Sequence, residues 1–241
     1  MKLRHFSWII LMLGFGAPPT FAQSTVMVHI TVTPTAASRA KKAALPDSSN
    51  VAAWLVPIDK SAPTAASSTR AEAIIIQKNK TFEPHMTVVQ VGSSIAFPNE
   101  DPFFHDVFSL YNGKRFNLGL YEAGSTRTQR FDRPGVSYLF CNIHENMSAI
   151  VIAVETPYYG VSDRSGQVEI PGVPDGRYTF HAFYERSTAD ELKSLERTVT
   201  ISAASRTIDG VQIAESSGVT LAHKNKYGED YVPPANSGYG P

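Results

Sequence analysis

Apolar residues recur at every second position along most of this chain, and glycine and proline cut the recurrence into short lengths. A two-residue period sets one face of an extended strand against a core and the other in water, whereas a helix needs spacings of three and four. Strands are therefore expected at 25–33, 51–56, 72–77, 87–91, 94–97, 104–110, 125–131, 136–141, 149–154, 167–170, 177–184 and 198–201; only 189–197 hints at helix. Val91-Gly92, Arg133-Pro134-Gly135, Ile170-Pro171-Gly172 and Pro174-Asp175-Gly176 read as the turns between them. The expected fold class is all-β.

The first residues do not belong to that pattern. A basic start, Met1-Lys2-Leu3-Arg4-His5, runs into the apolar stretch Trp8 to Leu13 and then into Ala17-Pro18-Pro19-Thr20-Phe21-Ala22. This is the layout of a cleavable signal peptide over 1–22, too short in its apolar part to span a bilayer, and it implies a periplasmic or secreted protein. No other stretch is long and apolar enough to be a membrane helix. The 22 basic and 22 acidic residues cancel, so no long-range field favours nucleic acid or anionic lipid. An exported chain normally uses cysteine for disulfides, yet here Cys141 stands alone among 241 residues. Either it is buried and inert, or a metal holds it as a thiolate.

Composition marks two linkers, the Ser-, Ala- and Thr-rich 57–71 and Thr156-Pro157-Tyr158-Tyr159-Gly160. They isolate a middle block, 72–155, long enough for one small sandwich, and leave two flanks, 24–60 and 156–216, each too short to bury a core alone. The flanking run Asp163-Arg164-Ser165-Gly166-Gln167-Val168-Glu169-Ile170-Pro171-Gly172-Val173-Pro174-Asp175-Gly176-Arg177-Tyr178-Thr179-Phe180 resembles the second half of the carboxypeptidase regulatory-like, or transthyretin-like, sandwich. The resemblance implies that the middle block is inserted between the early and late strands of that sandwich. The other arrangement is a tandem array behind a disordered N-terminal arm. Residues 217–241, rich in Ser, Gly, Lys, Asn and Pro, read as a flexible tail, with His223 in it expected to be solvated.

Chemistry concentrates in Cys141-Asn142-Ile143-His144-Glu145-Asn146-Met147, read as the loop between a strand ending at Cys141 and one beginning near Ser148. It presents a thiolate, an imidazole and a thioether at Cys-x-x-His-x-x-Met spacing. With one more histidine these form a trigonal His, His, Cys set with a weak axial Met, which suits both Cu(I) and Cu(II). So short a loop does not surround a metal, and His105, at the start of a distant strand, is the natural fourth donor. Taken singly, each residue has a bland reading: Cys141 as a small buried hydrophobe, His105 as a surface histidine, His144 as a loop residue, Met147 as core filler. Their joint spacing favours one copper ion held by His105, Cys141, His144 and Met147.

The block 72–155 also resembles a cupredoxin of the plastocyanin and amicyanin kind, through Phe82-x-Pro84, Val91-x-x-Ser94-x-x-Phe97-x-Asn99, His105 and Cys141-x-x-His144-x-x-Met147. Together with the flanks it is similar to exported proteins labelled methylamine utilization proteins. The resemblance implies a Greek-key β-sandwich beside a second, regulatory-like β-sandwich. In that family the residue after the first histidine is usually Asn, bracing the cysteine loop. Here it is Asp106, which when ionised only accepts, so a bond with Asn142 in exchanged roles is expected, together with a bond from the Ile143 N–H to the thiolate. His85 is expected to cap or pack, and His29 and His181 to belong to the flanking sandwich.

Four protein donors leave no open position for substrate, so the expected role is an electron carrier and not an enzyme, handing single electrons to a transient protein partner near His144. Copper delivery without a redox role, and a binding sandwich with structural copper, are the alternatives.

Overall fold

The computed structural model describes residues 24–36, 47–59, 73–110, 113–217 and 223–231. The expected leader lies outside them, as does most of the 57–71 linker. Among the described residues no helix is long and apolar enough to cross a membrane.

The strands in chain order are β1 Ser24–Thr33, β2 Ala52–Pro57, β3 Ala73–Ile74, β4 Ile76–Lys78, β5 Thr81–Glu83, β6 Met86–Gln90, β7 Ser93–Pro98, β8 His105–Ser109 and β9 Phe116–Tyr121. They continue as β10 Thr126–Phe131, β11 Gly135–Cys141, β12 His144–Val154, β13 Tyr159–Val161, β14 Gln167–Val173, β15 Gly176–Phe183, β16 Arg197–Ile201 and β17 Thr207–Ala214. A short helix, α1 Ala189–Ser194, is started by Thr188, whose hydroxyl accepts the Glu191 N–H.

The two flanks pair with one another. One sheet runs β14-β1-β17 and the other β13-β2-β15-β16, so strands from before the middle block are hydrogen-bonded to strands from after it. Alternation explains the packing: Val26, Val28, Ile30 and Val32 of β1 face Val51, Leu55, Val168, Ile170, Tyr178 and Phe180 in one apolar cluster, while the residues between them point outward. Gly166 allows the turn that closes this sandwich. Its φ of +83° is in the left-handed region, and a Cβ there would sit 1.9 Å from the Ile30 carbonyl oxygen.

The expected linker at 156–160 is part of this sandwich. Tyr158 is buried against Tyr178, and β13 pairs antiparallel with β2. Strand β14 runs through Pro171, where a turn was expected. It is an edge strand, and its register with β1 slips opposite Pro171 and Gly172, so the missing N–H leaves no ladder position empty. Strand β17, unforeseen because Asp209-Gly210 breaks its alternation, pairs parallel with β1 across a matching irregularity.

The middle block has the sheets β10-β7-β3 and β6-β12-β11-β8-β9, with a small β4-β5 hairpin at one end. The fold is all-β and mostly antiparallel, as the alternation implied. Strand β12 does more than close this sandwich. Met147, Ala149, Val151 and Ala153 enter its core, while Ile150, Ile152 and Val154 on the opposite face pack with Met86, Val88 and Ala52, the last from the flanking sandwich. The unbroken apolar run 149–154 is the signature of a strand buried on both faces.

His85 ties the same two parts by charge. Its Nε2 lies 2.9 Å from Glu185 Oε2 and its Nδ1 3.2 Å from the Ser148 carbonyl oxygen. The Glu185 hydrogen bond raises the imidazole pKa above its ordinary value, burial opposing it and the Glu185 charge and the Ser148 carbonyl reinforcing it. A histidine raised on folding adds stability that is complete below its unfolded pKa of about 6.5 and fades as pH climbs through the folded value. Glu185→Gln should therefore cost about 1 kcal/mol near pH 6 and progressively less as pH rises through the folded value, measured by denaturant unfolding across a series of pH values. A cost that does not change with pH would show that the pair is not charged.

Candidate metal centre

Pairing of β8 with β11 sets Cys141 opposite Val107, which brings His105, two residues back along β8, to the end of the sheet where β11 turns into β12. That turn is tighter than the sequence suggested. Cys141 already pairs with His144, so only Asn142 and Ile143 lie outside the strands, and Met147 belongs to β12 instead of to a loop. A hairpin this short holds Cys141 and His144 at its two shoulders.

The three donors converge. His105 Nδ1 is 3.6 Å and His144 Nδ1 3.4 Å from Cys141 Sγ, and all three ligand atoms lie within 4.8 Å of one another. For bonds of about 2.0 Å to nitrogen and 2.3 Å to sulfur at trigonal angles, nitrogen and sulfur should stand about 3.7 Å apart, so both nitrogen–sulfur separations are close to those a shared metal ion requires. His105 and Cys141 have no exposure, and His144 is half-buried. Met147, 1% exposed, packs in the same apolar cluster as Cys141.

Sequence reasoning missed the residue that aims His105. Asp101 Oδ2 lies 2.9 Å from His105 Nε2. The ring donates through Nε2 to this carboxylate, leaving the Nδ1 lone pair toward the sulfur, the usual outer arrangement of a metal-binding histidine. Asp101 is itself fixed by the N–H groups of Asn79 at 2.6 Å and Lys80 at 3.0 Å, consecutive residues at φ 54° and 57° in the turn between β4 and β5. Two successive left-handed residues point adjacent amides at one carboxylate. The only local sign was an acidic residue four positions before a histidine, which is too common to single out.

Electrostatics keep the metal-free site neutral. Burial pushes the Cys141 thiol up, against N–H groups of Asp106, Ile143 and His144 directed at the sulfur. The expected Ile143 donor is thus one of three. Burial lowers His105 despite Asp101, and burial, with the neighbouring His105 and Lys80 charges, pushes His144 down to about 4. Burial works against the Asp101 charge, but the Lys80 and Asn79 amides and His105 outweigh it and hold its carboxyl below the ordinary range. At neutral pH both imidazoles therefore present free lone pairs, and metal binding has to displace only the thiol proton.

The residues expected to form a free tail include 223–231, which lie against this hairpin. Lys226 donates through its backbone N–H to Asn142 Oδ1 at 2.9 Å and through Nζ to Asp106 Oδ2 at 2.7 Å. Tyr231 Oη donates to the Cys141 carbonyl at 2.7 Å. His223, expected to be solvated, stacks on Phe140 with ring centroids 3.9 Å apart. The expected side-chain bond between Asp106 and Asn142 is not formed; Lys226 bridges Asp106 Oδ2 and Asn142 Oδ1 instead, and the backbone N–H of Asn142 donates to the Asp106 carbonyl at 2.8 Å. The flank histidines lie away from the centre, His29 beside Asp209 and His181 stacked on Trp54.

No protein-family model matches the chain, and no curated protein matches it. Among solved structures it is similar to a novel purple cupredoxin from Nitrosopumilus maritimus, at 24% identity over 34% of this chain and 100% of that one, with a TM-score of 0.32. It is also similar to the Cu-containing nitrite reductase from Thermus scotoductus, at 23% identity over 42% of this chain and 27% of that one, TM-score 0.34. The reduced form of an amicyanin variant matches at 16% identity over 42% of this chain and 99% of that one, TM-score 0.32. These are slight likenesses of fold alone.

The chain's own atoms carry the chemistry. His105, Cys141 and His144 form a cluster able to hold a metal ion, and Phe103 lies edge-on to both imidazoles, at 5.5 Å from His105 and 5.4 Å from His144.

Proposed function

We propose that the middle block is a cupredoxin and that the protein is an exported type 1 copper carrier of single electrons, with His105, Cys141, His144 and Met147 as the ligands. The observation that carries this reading is the approach of two imidazole Nδ1 atoms to one buried thiol at 3.6 and 3.4 Å. Zinc also accepts His and Cys donors, but a thioether among them belongs to copper. Bound copper would supply a centre that alternates between Cu(I) and Cu(II).

The protein's part is to hold the donors still and dry. Asp101 fixes the His105 ring, the β11–β12 turn fixes Cys141 against His144, and the three N–H groups around the sulfur favour the thiolate. Little reorganises when the charge of the site changes, because every donor but His144 is buried and packed. His144 alone reaches partial exposure, with Ile143 46% and Phe104 49% exposed on neighbouring turns. Electrons would leave there toward a transient partner, over an apolar contact of small area.

Reconstitution of the chain with copper, followed by visible and paramagnetic-resonance spectroscopy, tests the reading. Intense thiolate-to-copper absorption with a reversible potential supports it; tight Cu(I) binding with no stable Cu(II) form would establish delivery instead. Met147→Leu should keep the metal and raise the potential, because a weak donor to Cu(II) is lost while packing is nearly conserved. An unchanged potential would make Met147 a packing residue.

A further inference from the structure

Asp106 and Asn142 present a difficulty that the β8–β11–β12 framework does not resolve by itself. The Asn142 amide could donate to the Asp106 carboxylate, but the Asp106 oxygens receive no such bond, and the Asn142 Oδ1 atom is itself an acceptor in need of a donor. Asp106 is moreover buried, with 4% side-chain exposure, and its Oδ1 has no hydrogen-bond partner among the described residues. A buried carboxylate left without a counter-charge is costly. Asp106 Oδ2 and Asn142 Oδ1 are both met by one residue 120 positions from Asp106, Lys226, which gives its ammonium to Asp106 as the counter-charge and its backbone N–H to Asn142. The Lys226 side chain is itself only 17% exposed, and the Asp106 hydrogen bond raises its pKa against the opposing effect of burial, so the ammonium is retained.

Two further contacts fall on the same few residues. Tyr231 donates to the carbonyl of Cys141 at 2.7 Å, and His223 lies over the ring of Phe140 at 3.9 Å with an interplanar angle of 24°. His223 and Tyr231 then meet edge to face at 5.4 Å. Phe140, Cys141 and Asn142 are thus gripped in succession by one nine-residue stretch, while their other side is held by Phe108 and Val107 of β8.

We propose that residues 223–231 act as a clamp on the Cys141–His144 hairpin, with Lys226 and Tyr231 as positioning residues that hold the Cys141 sulfur in register with His105 and His144. The clamp fastens the corner of the molecule where both the thiol and His144 originate, and it does so with donors because the hairpin and β8 offer acceptors. Its redox consequence rests on the copper reading above; the grip itself is a property of the metal-free chain. Release of Lys226 lets the hairpin open locally, exposing a thiol that is fully buried when the clamp is closed.

The test uses the full chain in two measurements. In metal-free protein under native conditions, alkylation of Cys141 by iodoacetamide is followed by mass; in copper-loaded protein, the midpoint potential and the thiolate absorption band are recorded. Lys226→Met should speed alkylation by on the order of tenfold or more, the equivalent of losing a hydrogen bond to a charged group, and should displace the potential. Lys226→Arg, which keeps the donor and the charge, should return both toward wild type. Tyr231→Phe should raise alkylation by a few fold. If Lys226→Met does not fold, Asp106→Asn combined with Lys226→Met should restore folding, because the neutral amide no longer needs a counter-charge, while Cys141 is still alkylated faster than in wild type because the side-chain clamp is gone. Wild-type alkylation rates and an unmoved potential in Lys226→Met would overturn the clamp, as would failure of the double variant to rescue an unfolded single one. Alkylation is read without metal, so absence of the copper signature in wild type would remove the electron-carrier reading and leave the clamp standing.

Discussion

Cys141→Ser should abolish the intense visible absorption of the copper-reconstituted protein while leaving the fold in place. The band requires a sulfur lone pair that donates charge to the metal, and a serine oxygen is a harder and far less easily oxidised donor. The fold should survive because the change is nearly isosteric. A hydroxyl oxygen, with two lone pairs, can accept from two of the three N–H groups directed at the sulfur, those of Asp106, Ile143 and His144. Burying that hydroxyl in the cluster of Leu139, Met147 and Ala149 should still cost roughly 1–2 kcal/mol in denaturant unfolding of the metal-free chain. Absorption that persisted in the serine variant would exclude Cys141 as a ligand and with it the proposed centre.

Asp101→Ala is expected to be the most damaging substitution outside the donors. It strands three hydrogen-bond donors at once: the N–H groups of Asn79 and Lys80, held at positive φ, and the Nε2–H of His105. Only the His105 ring donor is fully buried and costs about 1–3 kcal/mol when unsatisfied, whereas water can reach the amides of the exposed Asn79 and Lys80, so the sum is about 2–4 kcal/mol. Loss of the outer partner of a metal-binding histidine lowers metal affinity about 10- to 100-fold, so copper should pass to a competing chelator at correspondingly lower chelator concentration. Asp101→Asn keeps one acceptor oxygen and should fall between. Unaltered copper affinity in Asp101→Ala would mean that His105 does not depend on this carboxylate for its orientation.

The elements best read from sequence are those whose signal is local. Strands β1, β7 and β15 follow a clean alternation, one face more deeply buried than the other, and each lies within a residue of its expected range; β10 and β11 also fall within a residue of theirs, marked by the turn residues that bound them. Strands β5, β9, β13 and β17 escaped for physical reasons of their own. Three of them are short or interrupted by a glycine at positive φ, such as Gly119 in β9 and Gly210 in β17, and β13 is specified mainly by the partner it finds in β2. The expected loop from Cys141 to Ser148 has only Asn142 and Ile143 outside the strands, because Cys141 pairs with His144; a register shift then leaves Glu145, Asn146 and Met147 of β12 without partners on β11 before Ser148 meets Phe140. The expected tail was judged on composition alone, and composition does not register that Lys226 meets a buried carboxylate.

Determined by the sequence itself were the β character of the chain and the donor types at Cys141, His144 and Met147, since a two-residue period and a spacing within seven residues are properties of neighbouring positions. Tertiary structure alone decided that Asp101 aims His105, that β12 joins two sandwiches, and that Lys226 and Tyr231 close over the Cys141 hairpin. These contacts join residues from separate turns, strands and termini. A hydrogen bond formed across 120 positions leaves no periodicity behind it; it exists only once the sheets have set the distance between its donor and its acceptor.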